Sequence, residues 1–277
     1  MSPMLLASLM MIASGSIHAL VNGIVKGGRD KAAARALTDG SGAIIMLPVL
    51  PFVTPPDGAW GWLAASALVH GVYLYALIRA YERTDFSTAY PVLRGTAPVL
   101  TAIVTIGLLG EPASAGDLIG IALIAGAMFL LVIGRHLDRT SLGWSLLTGA
   151  MIATYTVIDA WGVRAAPTTM GYIAWLFVMM GAVTPVMFGV ATRGRVFRSA
   201  SSQWRPGAIA GALSIVTYGL ALTAFALGPT APLAALRETG MVTAMGIAIF
   251  ALGERVSWQR GVAVGMILAG AATILAT

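Results

Sequence analysis

This sequence contains no cysteine and very little charge. The absence of cysteine excludes disulfide bonds and thiolate chemistry. Only 10% of the residues are charged, whereas 58% are hydrophobic and the mean hydropathy is +0.86. A water-soluble domain of 277 residues would need far more charge to cover its surface. The composition therefore predicts an integral membrane protein.

Several signatures of enzymes are missing as well. The sequence has no GxxxxGK[ST] loop for nucleotide phosphates, no HExxH motif, no cysteine and histidine cluster for a metal, and no GxSxG elbow. We therefore expect no ATP hydrolysis by that route, no metal, no cofactor and no enzymatic activity. The net charge of +6 is explained by membrane topology, so we expect no nucleic-acid partner.

Ten apolar stretches are each long enough to cross a bilayer, which takes roughly 20 residues in a helix. We find no alternation with a period of two, which barrel strands would show. The ten segments, numbered in chain order, are 4–25, 36–54, 60–80, 87–109, 116–134, 142–163, 170–191, 206–227, 230–252 and 257–276. The sequence thus predicts an all-α integral membrane protein with ten transmembrane helices.

An internal repeat sets the architecture. Residues 93–114 (LRGTAPVLTAIVTIGLLGEPAS) recur without a gap as residues 236–257 (LRETGMVTAMGIAIFALGERVS), with nine identities. The chain therefore consists of two copies of one unit, which we place at 1–139 and 140–277. Because each copy has five helices, the second must be inverted in the membrane. Inverted repeats recur in secondary transporters, with the substrate site near the midplane, although channels contain them too.

The positive charges predict the orientation. One set of alternate loops contains almost all of them, and the other set contains only Arg164. Since positively charged loops stay in the cytoplasm, we expect the loops between segments 1–2, 3–4, 5–6, 7–8 and 9–10 to be cytoplasmic, with both termini outside. The charges on these loops are Lys26, Arg29, Lys31, Arg35, Arg79, Arg83, Arg135, Arg139, Arg193, Arg195, Arg198, Arg205, Arg255 and Arg260.

Two arginines matched by the repeat lie inside apolar segments. Arg94 and Arg237 are each about eight residues into segments 4 and 9, or roughly 12 Å deep at ~1.5 Å per residue. A charge at that depth costs several kcal/mol unless it meets water, a partner or a ligand. The pair is therefore a candidate anion site on a central cavity; the alternative is a structural role. Glu238 is nearly as deep, and either serves a cation or proton of its own or pairs with Arg94.

Further polar side chains interrupt the apolar segments. His18 is a candidate proton carrier, although a hydrogen bond to a neighbouring helix would also explain it. We expect Asp159 to pair with Arg164 near the outer surface, one turn away. The remaining candidates for the cavity wall are Asn22 in segment 1, His70 and Tyr73 in segment 3, Tyr155 in segment 6 and Tyr218 in segment 8.

Segments 5 and 10 lack deep polar side chains and are rich in glycine and alanine. Such residues permit close helix packing, so we assign both segments to a scaffold away from the cavity. Glu111 and Glu254 match across the repeat at segment ends, and we interpret them as turn residues. Ser114 and Ser257 follow three residues later and are predicted N-caps.

The repeat endings resemble those of a known family. GLLGEPAS before a glycine- and alanine-rich helix, the second copy ALGERVSWQRGVAVGMILAGAA, and ATYTVIDAWGVR in segment 6 resemble the EamA branch of the drug/metabolite transporter superfamily. The resemblance covers essentially the whole chain. It implies a ten-helix carrier whose cavity is lined mainly by helices 1, 3, 4, 6, 8 and 9. It also implies transport of amino acids and other small metabolites, commonly outward.

Together these features predict a secondary transporter in the inner or plasma membrane that exports small metabolites, amino acids above all. Arg237, helped by Arg94, would hold a carboxylate. Glu238 or Asp159 would meet an ammonium group or a coupling proton. The alternatives are efflux of lipophilic cations, exchange of phosphorylated metabolites, and a channel or lipid scramblase. We expect a small-molecule substrate and lipid as partners, and two halves that allow a functional monomer.

Overall fold

A computed structural model describes residues 2–28, 30–84, 86–135, 137–200, 202–250 and 257–277, and this part of the chain is helical without strands. A 3₁₀ turn (Leu47–Phe52) extends the second helix, and a π turn (Ile103–Leu108) extends the fourth. The helices are α1 (Pro3–Gly27), α2 (Lys31–Met46), α3 (Trp60–Arg83), α4 (Phe86–Ala102), α5 (Ala115–Leu130), α6 (Arg139–Ala165), α7 (Thr169–Ala191), α8 (Arg195–Ala200), α9 (Trp204–Leu227), α10 (Thr230–Arg237), α11 (Gly240–Phe250) and α12 (Trp258–Leu275).

Within the described ranges, eight helices are long and apolar enough to cross a membrane, counting α2 and α4 with the turns that extend them: α1 to α4, α6, α7, α9 and α12. The shorter apolar helix α5 and the pair α10–α11 account for the other two predicted segments. Large apolar side chains such as Leu68, Phe52 and Val190 are 74%, 88% and 76% exposed, as lipid contact requires and water would penalise. The protein is an all-α, multi-pass membrane protein.

Local sequence explains where the helices begin. Ser114 accepts a hydrogen bond from the Asp117 amide while the Asp117 carboxylate accepts from Ser114, which forms a capping box at α5. Ser257 caps α12 through the Arg260 amide, so both predicted serine caps are confirmed. The predicted turn residue Glu254, like Arg29 and Arg255, lies outside the described residues.

Helix packing follows the two-copy architecture. The first helix of each half packs on the third helix of the other half: α1 on α9, and α6 on α3. The second helices pack together as α2 and α7, and the last as α5 and α12. These four pairings are thus matched, or matched to themselves, when the two halves are exchanged. The halves interlock as an inverted repeat, as the sequence predicts.

Glycines permit the closest crossings. In the scaffold, a Cβ on Gly120 of α5 would lie 2.6 Å from the Gly270 carbonyl oxygen of α12, so only glycine fits. In the centre, a Cβ on Gly15 of α1 would overlap the carbonyl oxygen of Arg237, and one on Gly240 would overlap the backbone of Gly15. The backbone of α1 therefore packs directly against the junction of α10 and α11.

Two predicted segments differ from the observed helices. Segment 2 was expected at 36–54, but α2 begins at Lys31 because Asp30 caps it by accepting from the Ala33 amide. Arg35, predicted in a loop, is therefore one turn inside the helix. Segment 9 was expected as one helix at 230–252, but α10 ends at Arg237 and α11 begins at Gly240.

Candidate functional site

A cavity of about 900 Å³ enters the helix bundle from one end and reaches the middle. At the open end, Asp30 and Lys31 lie where α1 meets α2, and Glu82 and Thr84 lie where α3 ends. At the inner end the wall includes Arg237. This volume lies within the range typical of small-molecule sites, about 300–1,000 Å³.

The inner end is built on the interruption between α10 and α11. The Glu238 amide donates to the Ala235 carbonyl, and the Thr239 amide donates to the Leu236 carbonyl. Both hydrogen bonds span three residues instead of the four of an α-helix, so the α-helical pattern is interrupted here. Discontinuous transmembrane helices of this kind line the substrate sites of many transporters. Arg237 is the last residue before the interruption, and its side chain faces the cavity.

The Arg237 guanidinium is buried and has no counter-ion among the residues that the structure describes. Its Cζ lies 5.3 Å from the ring centre of Tyr218, which is a cation–π contact. Its Nε is buried without a hydrogen-bond partner, and within the described ranges no carboxylate lies within 4.0 Å of its nitrogens. Arg237 is thus a buried cation directed at open space.

Its repeat partner Arg94 has a different environment. The Arg94 Nε lies 2.6 Å from the Glu238 Oε2, and both side chains are buried. This ion pair joins α4 of the first half to the interruption in the second half. Arg94 borders the cavity, whereas Glu238 lies behind the wall, so the pairing alternative is the one observed.

A second ion pair on the cavity wall was missed from the sequence. On α2, the Arg35 Nε and one terminal nitrogen each lie 3.1 Å from an oxygen of Asp39, one turn further along. Both residues line the cavity. Their i, i+4 spacing is typical of a helical ion pair, but the assignment of Arg35 to a loop concealed it.

Aromatic side chains form the opposite wall. The His70 ring stacks on Tyr155 with centroids 4.0 Å apart, and its edge contacts involve Tyr73 at 6.2 Å and Tyr218 at 6.4 Å. The His70 Nδ1 lies 2.9 Å from the Ser66 carbonyl oxygen, which fixes the ring. These four predicted residues come together on one surface of the cavity.

The polar side chains of α1 have two different environments. His18 and Asn22 line the cavity, and the Asn22 amide donates to the Tyr90 hydroxyl at 3.5 Å. Ser14, one turn before His18, instead donates to the Thr217 carbonyl at 2.6 Å and holds α1 against α9. These side chains therefore both face the cavity and join the halves.

Asp159 is fully buried behind Tyr218 and does not pair with Arg164, contrary to expectation. Its two carboxylate oxygens accept hydrogen bonds from the Tyr172 hydroxyl at 2.9 Å and from the Tyr218 hydroxyl. Tyr218 therefore separates this carboxylate from the cavity. The expected pair is absent because Arg164, further along α6, points to another acid.

That acid is Glu111, which the sequence interpretation made a turn residue. Gly110, with φ of 70°, turns the chain after α4 so that the Glu111 Oε1 lies 2.6 Å from an Arg164 nitrogen. The Glu111 carboxylate also accepts from the amide and hydroxyl of Thr230, while Arg164 donates to the Gly228 carbonyl. This network joins both halves at the end of the bundle opposite the cavity mouth.

The lining extends beyond the helix set implied by the family resemblance. Helices α2 and α7 contribute Asp39 and Phe177 in addition to the expected helices. No described residue of α5 or α12 lines the cavity, in agreement with their scaffold assignment. Across the described ranges, no group of three histidine, aspartate or glutamate side chains could hold a metal ion.

Comparison with known proteins identifies two family matches in this chain. The sequence model described as the EamA-like transporter family matches residues 1–133 and again 139–276. A solved crystal structure, described only as that of a protein, superposes with a TM-score of 0.76 over 98% of this chain and 95% of its own, at 16% sequence identity. That likeness concerns the fold. No curated protein matches.

Proposed function

Because this chain belongs to the EamA-like transporter family, we propose that it is a secondary transporter that moves small carboxylate metabolites, amino acids first among them, across the cell membrane. The observation that carries the proposal is the buried Arg237 guanidinium, which faces the cavity without a counter-ion from the described chain. Such a charge costs several kcal/mol in a membrane unless an anion or water meets it. The anion we propose is the substrate carboxylate.

The charge of the cavity supports an anionic group. Arg94 is neutralised by Glu238, and Arg35 is neutralised by Asp39. Arg237 therefore adds an uncompensated positive charge at the inner end. Charge-assisted hydrogen bonds from a guanidinium to a carboxylate are about twice as strong as neutral ones, and the planar fork fixes the orientation of the ligand.

The rest of the wall suits the other end of an amino acid. Neither Glu238 nor Asp159 lies on the lining, so we do not assign the ammonium group to either. The rings of Tyr73 and Tyr155 lie on the lining and favour a cation. The cavity thus offers complementary sites for a zwitterion.

The two ends of the bundle support alternating access. The cavity is open near Asp30 and Glu82, while the Glu111–Arg164 network joins the halves at the other end. By the positive-inside rule the open end is cytoplasmic, so this state would load substrate from inside. Inverted halves can exchange their conformations to open the opposite side. We therefore propose export, driven by substrate accumulated in the cell.

The same observations rank the alternatives. A phosphorylated metabolite would also suit Arg237, since guanidinium groups bind phosphate well. Efflux of lipophilic cations is disfavoured, because the uncompensated charge at the inner end is itself a cation. A channel or scramblase would not show saturable exchange.

The test is counterflow in proteoliposomes loaded with unlabelled substrate and supplied with radiolabelled substrate outside. Exchange is compared for three labelled substrates: an amino-acid mixture, a sugar phosphate and a lipophilic cation. We expect saturable exchange of amino acids in the wild type and its loss in Arg237→Ala, because the carboxylate loses bonds worth about 1.5–3 kcal/mol each. Arg237→Lys, which keeps a point charge without the fork, should retain part of the exchange.

Arg205→Ala is the matched control. Arg205 lies at the start of α9, where it contacts Trp204 at 5.4 Å, outside the cavity. It should exchange like the wild type. Exchange of the sugar phosphate alone would change the substrate class, and unaltered exchange in Arg237→Ala would contradict the role of this arginine.

A further inference from the structure

The mechanism above leaves one buried acid unused. Asp159 is fully buried on α6, and its carboxylate oxygens accept hydrogen bonds from neutral donors, the hydroxyls of Tyr172 and Tyr218, with the Ser66 hydroxyl also facing them. In the described structure no basic group lies within 4.0 Å of it. An ionised carboxylate without a counter-ion is costly inside a membrane, and binding a proton removes that cost.

Four groups on the neighbouring helices face Asp159, and only one of them is a cation. They are Ser66 on α3, Tyr172 on α7, Tyr218 on α9 and Arg237 on α10. His70 on α3 stacks against Tyr155 and contacts the Tyr218 edge. Arg94 on α4 is neutralised by Glu238, and Arg164 on α6 by Glu111, so neither is free to compensate Asp159. Arg237 is the remaining cation.

One side chain connects Asp159 with the proposed carboxylate site. The Tyr218 ring lies under the Arg237 guanidinium at 5.3 Å, and its hydroxyl donates to the Asp159 Oδ2. Tyr218 is also part of the cavity wall. A change in the charge around Arg237 therefore affects the proton affinity of Asp159 in two ways, directly through electrostatics and through the hydrogen bond from Tyr218.

From this geometry we propose, on the basis of the function proposed above, that Asp159 binds a coupling proton which is carried together with the substrate carboxylate. A carboxylate at Arg237 cancels the positive charge that favours ionised Asp159, so substrate binding and proton binding favour each other. The proton passes from the cavity to the Asp159 carboxylate past the Tyr218 hydroxyl. It is released after the site opens to the other side, so one proton crosses with each substrate.

This coupling is compatible with export. When the substrate is concentrated inside the cell, its own gradient drives efflux, and a proton leaves with each molecule. Conversely, a pH gradient that is acid outside should drive labelled substrate into vesicles against its own gradient.

The experiment compares two modes of transport of a radiolabelled amino-acid mixture in the same proteoliposomes. Counterflow without a pH gradient needs only the carrier, whereas uptake driven by an acid exterior needs the coupling proton. For Asp159→Asn we expect the ratio of gradient-driven uptake to counterflow to fall about tenfold or more, since the proton site is gone. Asp159→Glu, which keeps a titratable carboxylate, should recover part of the ratio.

Asp117→Asn is the matched control. Asp117 is also a buried acid, but it lies on the scaffold helix α5, where it accepts from the Ser114 amide, and it is not part of the cavity wall. This variant should keep the wild-type ratio. A direct readout is proton uptake from weakly buffered detergent solution on adding the amino-acid mixture, which we expect for the wild type and not for Asp159→Asn.

The outcomes separate this inference from the proposed function. Wild-type counterflow with no response to a pH gradient, or an unchanged ratio in Asp159→Asn, overturns the coupling and leaves the carrier intact. Equal loss of both modes in Asp159→Asn, with wild-type proton uptake preserved in that variant, also overturns it. Absence of counterflow in the wild type contradicts the proposed function itself.

Discussion

Helix α4 and the pair α10–α11 descend from the same repeated segment, yet they place the same arginine in opposite circumstances. In α4 the Thr96 hydroxyl donates to the Val92 carbonyl four residues back, and the helix continues past Arg94. In the second copy the Thr239 hydroxyl donates to the Leu236 carbonyl three residues back, and the helix is interrupted. The helix thus continues past the arginine in one copy and is interrupted directly after it in the other.

The charges differ in the same way. Arg94 is satisfied by Glu238, which its own half cannot supply because the equivalent residue there is Gly95. A Cβ at Gly95 would lie 2.9 Å from the Met128 Cβ of α5, so the first half has no room for an acid. Arg237 has no counter-ion in the described part of the chain. The comparison indicates that one arginine joins the halves and the other is available to a ligand.

The largest expected effect comes from breaking the joining pair. Glu238→Gln leaves Arg94 buried and uncompensated, which should destabilise the protein by about 3–5 kcal/mol. Replacing both residues with methionine should restore most of the stability, because buried ion pairs are often replaceable by apolar side chains. Thermal unfolding in detergent checks both variants, and a stable Glu238→Gln protein would show that the pair does not join the halves.

An intermediate effect is expected at the interruption itself. Gly240→Ala places a methyl group against the Gly15 backbone and should cost about 1–3 kcal/mol. Because α1 then moves relative to Arg237, the rate of substrate exchange should fall even in protein that remains folded. The matched change in the first copy is Ala97→Gly, where the smaller residue fits and only about 0.5–1 kcal/mol of helix stability is lost. Counterflow and unfolding are measured on the two variants side by side, and equal effects would contradict the difference between copies.

The smallest effect is expected at the closed end. Glu111→Gln removes one charge from a pair whose arginine side chain is 28% exposed, and the remaining amide oxygen can still accept from the Thr230 amide, so we expect a loss of about 1 kcal/mol. That corresponds to about a fivefold shift toward the state open at this end. Since the chain has no cysteine, Ala231→Cys beside Thr230 gives a single labelling site, buried here.

Maleimide labelling of that cysteine should be severalfold faster when Glu111→Gln is added. Arg79 and Glu82 form a comparable exposed pair, 2.9 Å apart, away from this end, and Glu82→Gln serves as the control. Equal labelling rates in the two backgrounds would mean that the Glu111–Arg164 network does not hold the end closed.

The sequence predicts most of this fold because a bilayer imposes simple rules on length, charge and repetition. The polar residues of the cavity wall were accessible for the same reason: side chains such as His18 and Tyr218 stand out in apolar helices. The Arg35–Asp39 ion pair was not predicted because it lies one turn from a loop, and charged residues are common in loops.

The contacts between the two halves could not be predicted from the sequence. Glu111 and Arg164 are 53 residues apart, and nothing local in either segment indicates that they meet. The interruption after Arg237 was also missed, because residues 230–252 contain no proline after Pro232 that would mark it. At the interruption the backbone of Gly15 on α1 packs directly against Arg237 and Gly240, a contact that only the packed structure reveals.

The most direct test of the role of Arg237 is equilibrium binding of a radiolabelled amino-acid mixture to purified protein in three forms. These are the wild type, Arg237→Ala, and the double variant Arg94→Met/Glu238→Met. If Arg237 holds the ligand carboxylate, binding is lost in Arg237→Ala and retained in the folded double variant. Retained binding in Arg237→Ala, with loss in the double variant, would contradict this role and assign the ligand to Arg94.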